Sequence, residues 1–305
     1  MSGLRIIYMG TPEFAVPALQ TLHANGVNVV AVITAPDKPA GRGLKLQPSA
    51  VKAAAIELGI PVLQPTNLKD PVFQEELRSY KADLQIVVAF RMLPEAVWNM
   101  PRLGTFNLHA SLLPKYRGAA PINWAIINGE KETGISTFFL KHEIDTGDIM
   151  FQVKEPILDT DNAGTLYERL MNKGAQLVLD TVKSIEANAY PKIPQVYNGT
   201  IPVAPKIHKE TCQINFNKTS VEVRNHIRGL SPYPAAWTMI QDKLCKIYQV
   251  SLTDDKSEGT IGAYKTDNKT YLHFKTSDGW IAVQELQLEG KKKMQIDELL
   301  RGHKL

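Results

Sequence analysis

The strongest constraint on this chain lies in its first 110 residues, where short apolar runs alternate with helical stretches. Residues 4–9 (Leu-Arg-Ile-Ile-Tyr-Met) form the first run, Gly10-Thr11-Pro12 interrupts it, and residues 13–24 follow with apolar side chains at helical spacing. Residues 27–34 and 82–88 are further runs of strand length, and 103–108 is a shorter, weaker one. This alternation predicts βαβ units and an α/β fold with a Rossmann-like, doubly wound, mostly parallel sheet. A parallel sheet is covered on both faces, so its strands read as unbroken apolar runs. Such sheets bind ligands at the carboxyl ends of their strands.

The first turn argues against a dinucleotide. A pyrophosphate-binding turn needs G-x-G-x-x-G so that backbone can approach the phosphates. Here Pro12 stands where the second glycine belongs, and Glu13 would repel phosphate. After the second run comes a long connection, residues 35–45, rich in Pro, Gly and cations (Lys38, Arg42, Lys45). Long loops in compact domains are commonly functional. Cations set between glycines can approach a phosphate closely.

Residues 164–188 read as one long helix, with Leu166, Leu170, Ala175, Leu179, Val182 and Ile185 on its apolar face. The next segment holds Pro191, Pro194, Pro202 and Pro205, the composition of an extended linker. The expected layout is therefore a domain over 1–189, a Pro-rich linker over 190–206 and a second domain over 207–305. In the second domain a helix over 221–230 precedes five strand-like segments: 236–240, 244–250, 259–264, 271–274 and 280–288. Five strands in under 100 residues fit a small OB-like barrel.

Charge separates the two parts. Residues 1–205 balance, with 19 Lys and Arg against 19 Asp and Glu. Residues 206–305 hold 16 against 12, which is the whole net charge of +4. A basic C-terminal third points mildly toward a polyanionic partner. Hydrophobic residues make up 44% of the 305, the mix of a folded globular chain. Two cysteines, 212 and 245, make neither a disulfide framework nor a zinc-site spacing, so no metal is expected. With no signal-peptide pattern and no run of about 18 apolar residues, the expectation is a cytoplasmic protein without a membrane segment.

The chemistry concentrates in 104–118, Gly-Thr-Phe-Asn-Leu-His-Ala-Ser-Leu-Leu-Pro-Lys-Tyr-Arg-Gly. Asn107 and His109 alternate along a strand end, so both side chains face the same way. An amide donor and an imidazole together can polarise a carbonyl and hold the oxyanion formed when a nucleophile adds to it. Downstream, Asp145-Thr-Gly-Asp148 offers a carboxylate that can pair with the histidine or take a proton. No G-x-S-x-G nucleophile motif is present, so nothing suggests a covalent acyl-enzyme.

These motifs, in this order, resemble the folate-dependent formyltransferase superfamily: Asn107-x-His109, then Ser111-Leu-Leu-Pro114 with Tyr116-Arg-Gly118, then Asp145-Thr-Gly-Asp148. Gly10-Thr-Pro-Glu-Phe-Ala15, the stretch 36–43 and Arg117-Gly-Ala-Ala-Pro-Ile122 are similar to its methionyl-tRNA branch. The resemblance implies 10-formyltetrahydrofolate as donor and the α-amino group of methionyl initiator tRNA as acceptor. It implies that Asn107 and His109 bind the oxygen of the transferring formyl group and that Asp145 positions His109 and handles the proton. Ser111, Leu112, Leu113 and Pro114 would line the tetrahydrofolate site, with Phe90, Arg91 and Met92 on the pterin side. Arg91 stands where many relatives carry a glycine and one more residue, so this loop departs from the family pattern. Arg42, Lys38, Lys45, Lys206 and Lys209 would contact tRNA, and a monomer is the plainer expectation. Three alternatives compete with this reading. A glycinamide-ribonucleotide formyltransferase leaves 206–305 unexplained. A sugar-nucleotide N-formyltransferase fits the 37–43 stretch less well. A non-catalytic RNA binder has no use for Asn107, His109 and Asp145.

Overall fold

The computed structural model describes residues 3–40, 45–197 and 199–305. The chain forms two compact units. The first comprises residues 1–117, 134–155 and 167–202. Its sheet contains β1 (Ile6–Gly10), β2 (Val29–Ile33), β3 (Val62–Leu63), β4 (Leu84–Val88), β5 (Thr105–His109), β6 (Glu132–Phe139) and β7 (Ile149–Pro156). The spatial order is β7-β6-β5-β4-β1-β2-β3. Strands β1 to β5 pair in parallel, and β6 runs antiparallel to β5. All five residues of β1 and of β4 are buried. That is why these runs carry no polar alternation. Gly10 ends β1 where a Cβ would lie 2.6 Å from the Ala15 Cβ and 3.0 Å from the Val88 carbonyl oxygen. Only glycine lets the 3-10 turn Glu13–Ala15 close over the strand end. On one face of the sheet, Ile7, Met9, Ile33 and Val87 pack with Leu68, Phe73, Leu77 and Val97.

Strands β5 and β6 are among the features that differ from the sequence expectation. The run over 103–108, read as the weakest strand, is β5, hydrogen-bonded on both sides and central to the site below. Strand β6 escaped notice because Gly134, Ser136 and Thr137 break its apolar run. Two of its buried hydroxyls have partners: Ser136 Oγ donates to the Ser111 carbonyl at 2.6 Å, and Thr137 Oγ1 lies 3.0 Å from Thr181 Oγ1. Buried polar groups are tolerated when so paired. Thr181 lies on the long helix Ala163–Glu186, whose expected apolar stripe is buried throughout.

The connection after β2 is a short antiparallel hairpin, Lys38–Ala40 with Lys45–Gln47. Its base is pinned. Asp37 accepts from Lys52 Nζ at 2.7 Å and from Gln64 Nε2 at 2.8 Å, and the Lys52 bond holds its carboxyl below the usual range. Arg42 lies outside the described residues.

The second unit comprises residues 118–133, 156–166 and 203–305. Its sheet is antiparallel: β8 (Ala236–Ile240), β9 (Lys243–Leu252), β10 (Tyr264–Thr266), β11 (Leu272–Lys275), β12 (Trp280–Leu288) and β13 (Met294–Gln295). The order is β8-β9-β12-β11-β10, with β13 added to β12. Register shifts around Gln249 mark bulges in β9. Bulges bend and twist a strand, which curls this sheet into the half-barrel of an OB-like domain. The strand expected over 259–264 begins only at Tyr264, because Gly262 turns the chain at φ +83. Helix Ser220–Leu230 starts at a capping box of Thr219 and Glu222 and buries Val223, Ile227 and Leu230 against the sheet core. Cys212 and Cys245 are buried free thiols, and burial pushes the Cys245 thiol up to about 12.

Candidate active site

The C-terminal half of β5 carries the two candidate side chains, Asn107 and His109. Asn107 pairs with Val87 of β4 on one side and Phe138 of β6 on the other, and His109 pairs with Ser136. Being two apart on a strand, both side chains leave the same face. Asn107 is half-buried, and His109 is 6% exposed. The imidazole is held by its Nε2, 2.8 Å from the Tyr116 carbonyl oxygen. A carbonyl only accepts, so Nε2 carries a proton and Nδ1 is the nitrogen left for chemistry. That Nδ1 faces Asp145, with Oδ2 at 3.8 Å. The gap exceeds a hydrogen bond. It is an ion pair whenever the ring is protonated. The ring also meets the Phe138 ring edge-on, centroids 6.5 Å apart.

Asp145 reaches this position through an unusual loop. Its φ is +55, a left-handed conformation that costs a non-glycine residue roughly 1–2 kcal/mol. Gly147 lies so close to β6 that a Cβ would run into the Phe139 carbonyl oxygen. The loop is fixed from outside by Gln195, whose Nε2 donates to the Asp145 and Gly147 carbonyls, both at 2.8 Å. Gln195 Oε1 accepts from Arg117 Nε at 3.1 Å and Nη2 at 2.7 Å. The segment carrying Gln195, expected as a plain linker, also exchanges two backbone hydrogen bonds between Ile193 and Ile149, at 2.8 and 2.9 Å.

Ser111 to Pro114 follow β5 directly. Ser111 Oγ donates to the Lys115 carbonyl at 2.6 Å. Ser136 Oγ donates to the Ser111 carbonyl and accepts from Leu113 N at 3.2 Å and Gln152 Nε2 at 2.8 Å. One buried hydroxyl therefore organises the whole turn. Ser136→Ala is expected to lower stability by about 1–3 kcal/mol, because it leaves buried partners unsatisfied. A urea titration checks this. An unchanged midpoint and slope would contradict it.

Phe90, Arg91 and Met92 emerge at the carboxyl end of β4, the neighbour of β5. Phe90 is half-buried and packs against the core, as does Leu93. Arg91 turns back, donating to the Thr66 carbonyl at 3.0 Å and to the Pro65 carbonyl, with its guanidinium 5.6 Å from the Phe90 ring centre. Met92 is 73% exposed. Asn107, His109, Asp145 and 111–114 thus converge at one end of the sheet, with 90–92 on the adjacent strand end. Lys38 is exposed on the hairpin, to which Lys45 also belongs. Lys206 and Lys209 are exposed in the second unit, where Lys209 Nζ lies 6.0 Å from the Trp237 ring centre. Among the described residues, no group of three His, Cys, Asp or Glu side chains is placed to hold a metal ion, and no helix is long and apolar enough to cross a membrane.

Sequence reasoning missed the Tyr116 carbonyl, Ser136, Gln152 and Gln195. The first is backbone and leaves no side-chain signature. The next two lie on strands that were not recognised. Gln195 sits in a Pro-rich stretch whose composition masks it.

Comparison with known proteins matches a formyl transferase domain to residues 4–182 and a formyl transferase C-terminal domain to residues 206–304. The chain is 55% identical to the methionyl-tRNA formyltransferase of Bacteroides thetaiotaomicron, over 99% of its own length and 96% of that protein. It is 52% identical to that of Flavobacterium johnsoniae, over 99% and 97%. Among solved structures, a sugar 3N-formyl transferase, WlaRD, crystallised with dTDP and 5-N-formyl-THF, superposes with TM-score 0.69 at 23% identity, covering 95% of this chain and 99% of that one. HypX from Aquifex aeolicus with tetrahydrofolic acid gives TM-score 0.66 at 18% identity, covering 98% of this chain and 47% of HypX. These two likenesses are of fold.

Proposed function

Because the chain belongs to the formyl transferase family, we propose that it moves the formyl group of 10-formyltetrahydrofolate to the α-amino group of methionyl initiator tRNA, serving translation initiation in the cytoplasm. One observation carries this reading: 55% identity with a methionyl-tRNA formyltransferase across 99% of the chain, both units included. We assign the chemistry to residues 1–189. The basic residues 207–305 bind tRNA, and 190–206 connect the two. The working protein is a monomer.

The geometry supplies a mechanism. The amine lone pair attacks the formyl carbon, and the carbonyl π pair moves onto oxygen. The Asn107 amide and the Nδ1–H of a protonated His109 donate to that oxygen. The Tyr116 carbonyl fixes the imidazole plane, so little reorganisation is needed as charge develops. Asp145, 3.8 Å away, accepts the proton released by the attacking nitrogen. The bond from carbon to N10 breaks, its electron pair returns to N10, and N10 takes that proton. Net protonation is unchanged and no acyl-enzyme forms. Ser111 to Pro114 and the strand end at Phe90, Arg91 and Met92 form the walls for the folate.

The reading is tested by offering labelled 10-formyltetrahydrofolate with methionyl initiator tRNA, methionyl elongator tRNA and an amino-sugar nucleotide. Label on the initiator alone is expected. Label on the sugar alone would overturn the acceptor while keeping the donor.

Arg42, with Lys38 and Lys45 beside it in sequence, is assigned to the acceptor end of the tRNA, and Lys206 and Lys209 to its body. Charge-assisted contacts to phosphate are worth about 1.5–3 kcal/mol. Arg42→Ala should therefore lower kcat/KM for charged tRNA by roughly 10–100-fold while folate affinity holds. Steady-state kinetics against each substrate check this. An equal loss of folate affinity would remove the assignment.

A further inference from the structure

We propose that Gln195 is a positioning residue for Asp145, a reading that rests on the proton-handling role proposed for that carboxylate. Residues 191–197 are otherwise a surface segment: Ile193 is 51% exposed and Val196 is 77% exposed. Gln195 alone of its neighbours turns inward to half-burial. There its carboxamide uses its whole capacity, two N–H donors and two acceptor sites. The amide orientation follows from the partners. A guanidinium only donates, so Oε1 faces Arg117. Carbonyls only accept, so Nε2 faces Asp145 and Gly147.

The bonded carbonyls are informative. They belong to the catalytic candidate and to the glycine pressed against Phe139, and they flank Thr146. Holding both fixes the peptide planes on either side of a turn whose left-handed Asp145 is intrinsically unfavourable. The carboxylate is thereby kept facing His109 Nδ1. The Ile193–Ile149 backbone pair anchors the segment beside the same loop. Arg117 in turn follows Tyr116, whose carbonyl holds the histidine. One chain of contacts thus runs from the imidazole's anchor through Arg117 and Gln195 to the backbone carbonyl of Asp145.

Gln195→Glu tests this with little change of shape. Its carboxylate keeps the Arg117 pair but cannot donate to the two carbonyls. Expected are a kcat lower by about 10–100-fold, the loss seen when orienting partners are removed, and a folate KM within about twofold of the parent. A thermal melt should still show a cooperative transition, lowered by the loss of two hydrogen bonds, and Gln195→Asn should fail to rescue because it is one methylene short. The variant is then repeated in an Asp145→Asn background. If Gln195 acts through Asp145, the second substitution costs no more than about twofold there. A parental kcat in Gln195→Glu would overturn the proposal, as would an undiminished loss in the Asp145→Asn background. A parental rate in Asp145→Asn alone would overturn the proton-handling role itself, a separate outcome.

Discussion

Replacing His109 with alanine is expected to lower kcat by about 10³-fold while the protein still folds. In the proposed mechanism the imidazole supplies one of two donors to the developing oxyanion, and loss of such a donor typically costs 10²–10³-fold. It also stands opposite Asp145, the carboxylate to which the proposed mechanism gives the proton, and general acid–base assistance typically contributes 10²–10⁴-fold. The two roles act as a unit, so their losses do not multiply. Stability should fall only modestly. The ring fills a small buried space and satisfies one carbonyl, that of Tyr116. Losing that hydrogen bond costs about 0.5–1.5 kcal/mol. Single-turnover rates beside a thermal melt separate the two effects. A folded variant within tenfold of the parental rate would overturn the role of the imidazole.

Asn107→Ala is expected to lower kcat by about 10²–10³-fold, with affinity for folate and for charged tRNA within about threefold of the parent. The distinction follows from where the amide acts. A donor aimed at charge that exists only in the transition state affects turnover and leaves ground-state binding alone. Asn107 is fixed by its backbone, paired to Val87 and to Phe138, so truncating its side chain leaves the strand in place. Equilibrium binding of each substrate and kcat are the measurements. Weaker binding of either substrate in proportion to the lost rate would show a ground-state contact instead.

The parts of the fold legible in the sequence are those where one physical rule acts alone. Residues 4–9 and 82–88 read as strands because burial on both faces favours apolar side chains, the one buried polar residue of β4, Gln85, accepting from Thr105 Oγ1 at 3.0 Å. The helix Ala163–Glu186 read correctly because its stripe is periodic over 24 residues. Strand β6 was illegible because its buried polar residues make sense only beside partners remote in sequence, Ser111 for Ser136 and Thr181 for Thr137. The site divides in the same way. That Asn107 and His109 face one way follows from strand periodicity, and the family resemblance directs attention to Asp145. The means of holding Asp145 was not legible. Gln195 lies 50 positions further on and acts through backbone carbonyls, which no residue type advertises. Nor does any local pattern reveal that residues 118–133 and 156–166 group with the C-terminal unit.

One measurement tests the central claim most directly. The protein is mixed with donor labelled in the formyl group and methionyl initiator tRNA, then quenched in acid through a single turnover. Protein, folate and tRNA fractions are counted separately. Label is predicted to pass from folate to the methionyl amine with none held on the protein at any time. Label appearing on the protein before the tRNA, or none reaching the tRNA, would contradict direct amine attack at Asn107, His109 and Asp145.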